Sequence, residues 1–173
     1  MSKLSIGAQV GTHLDSPLHF IENGSSISDI DLDVLIGNTF LANLSYKSAE
    51  ESIEVEDLEE FENDIYNTQR VIIRTDWSKF YKQKNYYSDF PKVTIELASW
   101  LAEREVKLIG LESPSLTIGD NLNIHRFLLS RNILIVESLS NLEGLRSGHY
   151  FMICLPLNIE GLEASPVRVV LLN

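Results

Sequence analysis

The sequence predicts a mixed α/β domain, and three observations carry that expectation. Strand-like and helix-like segments alternate through the middle of the chain. Strand-like segments dominate both ends. With 173 residues and 44% hydrophobic content, the chain is long and apolar enough to bury one sizeable core, so a single domain over residues 1–173 is the simplest organisation.

The elements follow in chain order. In the run Gly11-Thr12-His13-Leu14-Asp15-Ser16-Pro17-Leu18-His19-Phe20, His13 and Asp15 lie two apart. On an extended strand both therefore point to one face. Pro17 ends any ladder there and stiffens the exit, leaving His19 on a held loop. Thr39 to Leu44 is apolar, bounded by Gly37 and Asn38, and reads as a strand. Ser48 to Asp64 is the one strongly acidic block. Its apolar positions Ile53, Val55, Leu58 and Phe61 approach helical spacing, which predicts a short surface helix with a solvated acidic face. Arg70 to Arg74 is a β-branched strand. Trp77 and Trp100 read as packing residues, and Tyr81, Tyr86 and Tyr87, among Lys79, Lys82 and Lys84, as an exposed loop. Thr94 to Glu103 is a helix with Thr94 as cap and Ile95, Ala98 and Leu101 as its apolar stripe. Lys107 to Leu111, Ile133 to Val136, Phe151 to Leu155 and Val167 to Leu172 are strands, and Asn123 to Ser130 is a helix. His149, after Ser147 and Gly148, reads as a surface-loop histidine.

Composition removes several function classes. A net charge of −11 opposes a nucleic-acid partner, which needs a basic face. No apolar run approaches the length of a membrane span, and the first residues carry no signal-peptide core. Cys154 is the single cysteine and lies in the apolar run Met152 to Leu155, so it reads as an inert core thiol. A cytoplasmic protein is the default expectation.

The chemistry concentrates in the Gly11 to Phe20 run. Imidazole and carboxylate together suit Zn²⁺ or another first-row divalent ion, and His19 beside them can carry a proton. His125 on its helix and Glu137 at a strand end have ordinary readings when taken alone: a packed or capping histidine and a carboxylate emerging into solvent.

The same run resembles the signature of the metal-dependent cyclase and kynurenine formamidase family, H-x-G-T-H-x-D-x-P-x-H-F. It matches at Gly11, Thr12, His13, Asp15, Pro17, His19 and Phe20 and departs at Gln9, where the family has His. Arg74-Thr75-Asp76-Trp77 is similar to the family's R-T-x-W segment, and Gly110 to Ser115 to its Gly-x-Asp-x-x-Ser stretch, with Glu112 for Asp. His125 to Leu129, Ile135 to Leu142, Leu155-Pro156-Leu157 and Ala164 to Arg168 continue the likeness in order.

The resemblance implies a swivelling β/β/α domain, with a central mixed β structure flanked by helices and the metal site at the edge of that β structure. It implies one ion held by Gln9, His13 and Asp15 and a second by Asp15, His125 and Glu137, with zinc or manganese as the metal and one or two ions per chain. His19 would be the proton donor and acceptor. The implied activity is hydrolysis of a small amide, formamide or cyclic amide of the N-formylkynurenine type, by a homo-oligomer acting on a small-molecule substrate. Part of the family's usual N-terminal segment is expected to be lacking. Gln9 keeps open an alternative, a catalytically impaired member acting as a binding or assembly protein.

Overall fold

The computed structural model describes residues 1–118 and 123–173. In chain order the strands are β1 (His13–Asp15), β2 (Ile36–Asn43), β3 (Ser52–Ile53), β4 (Arg70–Arg74), β5 (Lys92–Val93), β6 (Leu108–Leu111), β7 (Leu134–Glu137), β8 (Gly148–Pro156) and β9 (Ala164–Leu172). The helices are α1 (Leu32–Leu35), α2 (Glu62–Thr68), α3 (Ile95–Glu103) and α4 (Asn123–Leu129). Seven strands close into a barrel in the order β1-β7-β6-β4-β2-β8-β9, and β3 and β5 form a separate parallel pair.

The barrel is mixed. β2, β4, β6 and β7 run parallel, which is why crossovers rather than tight hairpins join each of these strands to the next. β8 runs antiparallel to β2 and β9, and the three-residue β1 closes the ring antiparallel to both β7 and β9. The period-two alternation of the strands sorts their side chains into two cores. Leu14, Leu41, Ile72, Leu108, Val136, Met152 and Cys154 fill the interior of the barrel. Phe40, Val71, Ile73, Ile109 and Ile135 face outward and pack against Leu97 and Leu101 of α3 and Leu128 of α4. The central parallel strands are thus buried on both faces, and their sequences read as unbroken apolar runs.

Outside the acidic block, the expected strands and helices occur with ends shifted by a few residues, and Arg70–Arg74 coincides. The α3 cap is as expected: the Thr94 hydroxyl accepts from the Leu97 N–H at 3.2 Å. Trp77 and Trp100 are buried packing residues. Cys154 lies inside the barrel, where burial pushes its thiol up to about 12.

Three expectations need correction. The acidic block is not one helix. It is β3, then single 3-10 turns at Val55–Asp57 and Glu59–Phe61, then α2. Ile53 and Leu58 are drawn into the outer core. Asp57 meanwhile accepts from the Glu54 N–H at 2.8 Å and pairs with Lys47 at 2.7 Å, side-chain bonds that compete with helix continuation. Tyr86 is not exposed. At 2% exposure it stands with Trp77 and Phe90 in a small aromatic core, and Trp77 Nε1 donates to its carbonyl at 3.0 Å. His149 is on β8 rather than in a loop, and its exposed ring meets Asp64 at 2.9 Å.

Candidate metal centre

β1 and β7 bring the cluster together. Their register sets His13 directly opposite Glu137. Because Leu14 and Val136 point into the barrel, His13, Asp15 and Glu137 project from its outer face. There His125 of α4 arrives from the helical layer. One ligand atom each from His13, Asp15 and Glu137 lies within 4.8 Å of the others, and all three residues are buried. His13 Nε2 is 3.4 Å from Glu137 Oε2 and 3.7 Å from Asp15 Oδ1. The second Glu137 oxygen, Oε1, lies 2.9 Å from His125 Nε2, so one carboxylate spans two imidazoles.

The surroundings prepare these groups. His13 Nδ1 donates to the Gly11 carbonyl at 2.9 Å. That bond fixes the ring and turns Nε2 toward the carboxylates, as in metal-ligating histidines. Asp15 Oδ1 and His125 Nδ1 are buried with no hydrogen-bond partner among the described residues. A buried carboxylate oxygen left without a donor is costly, and a divalent cation would satisfy it. The donor set of two imidazoles and two carboxylates fits such an ion.

Pro17 opens a 3-10 turn, Pro17–His19, that delivers His19 to the cluster. Gly24 lets that turn pack tightly: a Cβ there would meet the Pro17 carbonyl carbon at 2.7 Å. The Phe20 ring lies 4.3 Å from the His19 ring and 5.5 Å from that of His125. Gln9 reaches both the Asp15 carboxylate, to which its side chain hydrogen-bonds, and the His19 ring. Its amide nitrogen is 3.1 Å and 2.9 Å from Nδ1 and Nε2 of that ring.

The electrostatics split the two carboxylates. Burial, reinforced by the negative charge of Glu137, lifts Asp15 to about 7. Burial also acts to raise Glu137, but hydrogen bonds from His125 and His13 outweigh it and hold the group below the usual range. His13 is raised, because the Glu137 bond and the Asp15 charge overcome its burial. Burial and the neighbouring His125 lower His19.

These shifts predict a pH dependence for the metal-free chain. Asp15 holds a proton in the fold that it would release from pH 3.8 upward when unfolded, so stability falls as pH rises toward 7. His13, raised above 6.5, adds stability at low pH that is lost as pH rises through its folded value. The expected result is a metal-free melting temperature lower at pH 8 than at pH 5.5, by an amount on the order of a few kcal/mol in stability. Scanning calorimetry with chelator checks this, and Asp15→Asn should flatten the profile. An unchanged profile in that variant would contradict the assignment to Asp15.

Two further groups lie in segments that carried the family likeness but had no role assigned from the sequence. Glu112 accepts from the Thr75 N–H at 2.7 Å, the Asp76 N–H at 2.5 Å and the Ser78 hydroxyl at 2.7 Å. It anchors the loop after β4 and is not in the ligand cluster. Ser138, directly after Glu137, takes a left-handed conformation (φ 57°). The cluster is recognised by its chemistry and not by cavity size: a groove of about 670 Å³, lined in part by Asp33, Glu103, Phe127 and Arg131, shares no residue with it.

Comparison with known proteins gives a consistent result. The family model described as "Putative cyclase" matches residues 2–117. A kynurenine formamidase from Bacillus thuringiensis subsp. konkukian is 32% identical over 173 residues, covering 99% of this chain and 79% of the relative. A kynurenine formamidase from Bacillus anthracis shows the same identity and coverage. Among solved structures, a potential metal-dependent hydrolase with cyclase activity superposes with a TM-score of 0.83 at 26% identity, covering 98% of this chain and 81% of the other. Isatin hydrolase A from Ralstonia solanacearum also gives a TM-score of 0.83 at 26% identity, covering 98% of this chain and 74% of the other.

Proposed function

The chain belongs to the cyclase family and is a metal-dependent amide hydrolase, and from that premise we propose that it hydrolyses an aryl formamide of the N-formylkynurenine type to the arylamine and formate, with a small cyclic amide such as isatin as a second accepted substrate class. The relatives named for these substrates support the choice. The observation that carries the site is the buried, partnerless Asp15 oxygen beside His13 and a Glu137 carboxylate shared with His125. In this reading His13, Asp15 and Glu137 hold a zinc ion, with manganese as the other candidate metal. His125 and Gln9 extend the set toward a second ion.

The bound ion would supply Lewis acidity, favouring hydroxide at neutral pH and polarising the amide carbonyl. The chain supplies the proton path. His19 is neutral at pH 7 because burial lowers its pKa, so a ring nitrogen can take the proton of the attacking water and return it to the leaving nitrogen. The Gln9 amide against that ring orients it. Phe20 meets the His19 ring edge-on and lies tilted beside His125, packing against both. The same reading carries the swivelling β/β/α description of the fold, a homo-oligomer and a cytoplasmic location. No helix among the described residues is long and apolar enough to cross a membrane.

The test is metal content and turnover on protein purified without chelator. We expect at least one ion per chain, and hydrolysis of N-formylkynurenine or isatin that chelator abolishes and zinc or manganese restores. A metal-loaded chain that hydrolyses neither compound would refute the substrate assignment and leave the binding or assembly role.

A further inference from the structure

The ligand pair His13 and Glu137 is only as well placed as the two strand ends that carry it. β1 is three residues long, and Glu137 is the last residue of β7. One position further, the ladder cannot continue, because Ser138 turns into the left-handed region (φ 57°). A side-chain bond takes the place of the missing rung: the Thr12 hydroxyl donates to the Ser138 carbonyl at 2.6 Å. Thr12 is fixed in turn from the other side, where its own carbonyl accepts from the Val167 N–H of β9 at 3.0 Å. The Ser138 N–H donates to the Ser113 carbonyl at 2.9 Å. Thr12 directly precedes His13 and Ser138 directly follows Glu137, so one hydroxyl ties together the neighbours of two facing ligands.

We propose that Thr12 is a positioning residue for the metal centre: its hydroxyl braces the end of β1 against the exit of β7 and sets the spacing between His13 Nε2 and the Glu137 carboxylate. This rests on the ligand set given under Proposed function. Thr12 touches neither ion nor substrate and acts only through its neighbours. A hydroxyl is required because the acceptor is a backbone carbonyl, and a residue of equal shape without a donor leaves that carbonyl unpaired. Partners that orient ligands in this way are worth about ten- to a hundred-fold in metal affinity.

The experiment is zinc affinity by competition with a chromophoric chelator, on the full chain, for wild type, Thr12→Val and Thr12→Ser, with melting of each metal-free protein. The expected result is an affinity about ten- to a hundred-fold weaker in Thr12→Val, near-wild-type affinity in Thr12→Ser, and cooperative metal-free melting in all three, with the valine variant lowered modestly by the unpaired carbonyl. Wild-type affinity in Thr12→Val would overturn the proposal. So would a Thr12→Ser variant as weak as the valine, since the methyl group and not the hydroxyl would then matter. Should valine disturb the fold, Thr12→Ala removes the hydroxyl without bulk and must show the same loss. A wild-type chain that takes up no zinc overturns the ligand set itself, an outcome distinct from a brace that proves dispensable.

Discussion

Replacing His19 by alanine is expected to lower kcat by about 10²- to 10⁴-fold, the usual worth of a positioned general acid–base group, while leaving metal content unchanged. The separation follows from the geometry. His19 arrives on the Pro17–His19 turn and contacts Gln9. It is not among the atoms of His13, Asp15 and Glu137 that converge within 4.8 Å. Its lowered pKa keeps the ring neutral and able to accept a proton. The wild-type rate should therefore carry an acid limb with a midpoint below 6.5, absent from the residual rate of the variant. Stopped-flow or steady-state rates across pH 5 to 8 on metal-loaded protein check this. A variant with unaltered turnover and full metal content would remove His19 from the proton path.

Glu137→Gln is expected to have the larger effect on the metal. The carboxylate meets His13 through one oxygen and His125 through the other, so it is the hinge of the cluster. Glutamine keeps the volume and an acceptor oxygen but loses the charge. Removing a partner that only orients a ligand costs about ten- to a hundred-fold in affinity. Neutralising a ligand itself should exceed that range, with turnover lost in parallel. The metal-free variant should still fold, because the substitution adds neither bulk nor an unpaired charge. Asp15 should ionise more readily once the Glu137 charge is gone, since that charge is among the causes of its raised value. Competition titration with zinc measures the first effect and pH-dependent melting the second. Wild-type zinc affinity in this variant would remove Glu137 from the ligand set.

Much of the fold was legible because its signals are local. The β-branched run Arg70 to Arg74, the apolar run ending in Val136 and the Thr94 cap each report a short-range preference of the backbone, and the structure agrees with them. The acidic block misled because its near-helical apolar spacing comes from residues that leave it in different directions. Ile53 sits on a β-strand and Leu58 between two tight turns, both drawn by the outer core. Tyr86 misled because its neighbours Lys82, Lys84 and Tyr87 are solvated while its own ring turns inward onto Trp77. Local polarity says nothing about which single residue a distant aromatic will capture.

By itself, then, the sequence determined the alternation of strands and helices, the shared face of His13 and Asp15 and the held position of His19, since spacing, capping and proline stiffness act within a few residues. Through the motif beginning at Gly11, it also pointed to the chemistry. Only the tertiary structure decided that β1 pairs with both β7 and β9 to close the barrel. It alone placed Glu137 opposite His13, gave its second oxygen to His125, turned Gln9 toward His19 and locked Ser138 to Thr12. The strand pairings and the Thr12–Ser138 bond join residues more than a hundred positions apart. Which strands pair, and which buried charges then face one another, depends on the packing of the whole chain, and no local pattern encodes it.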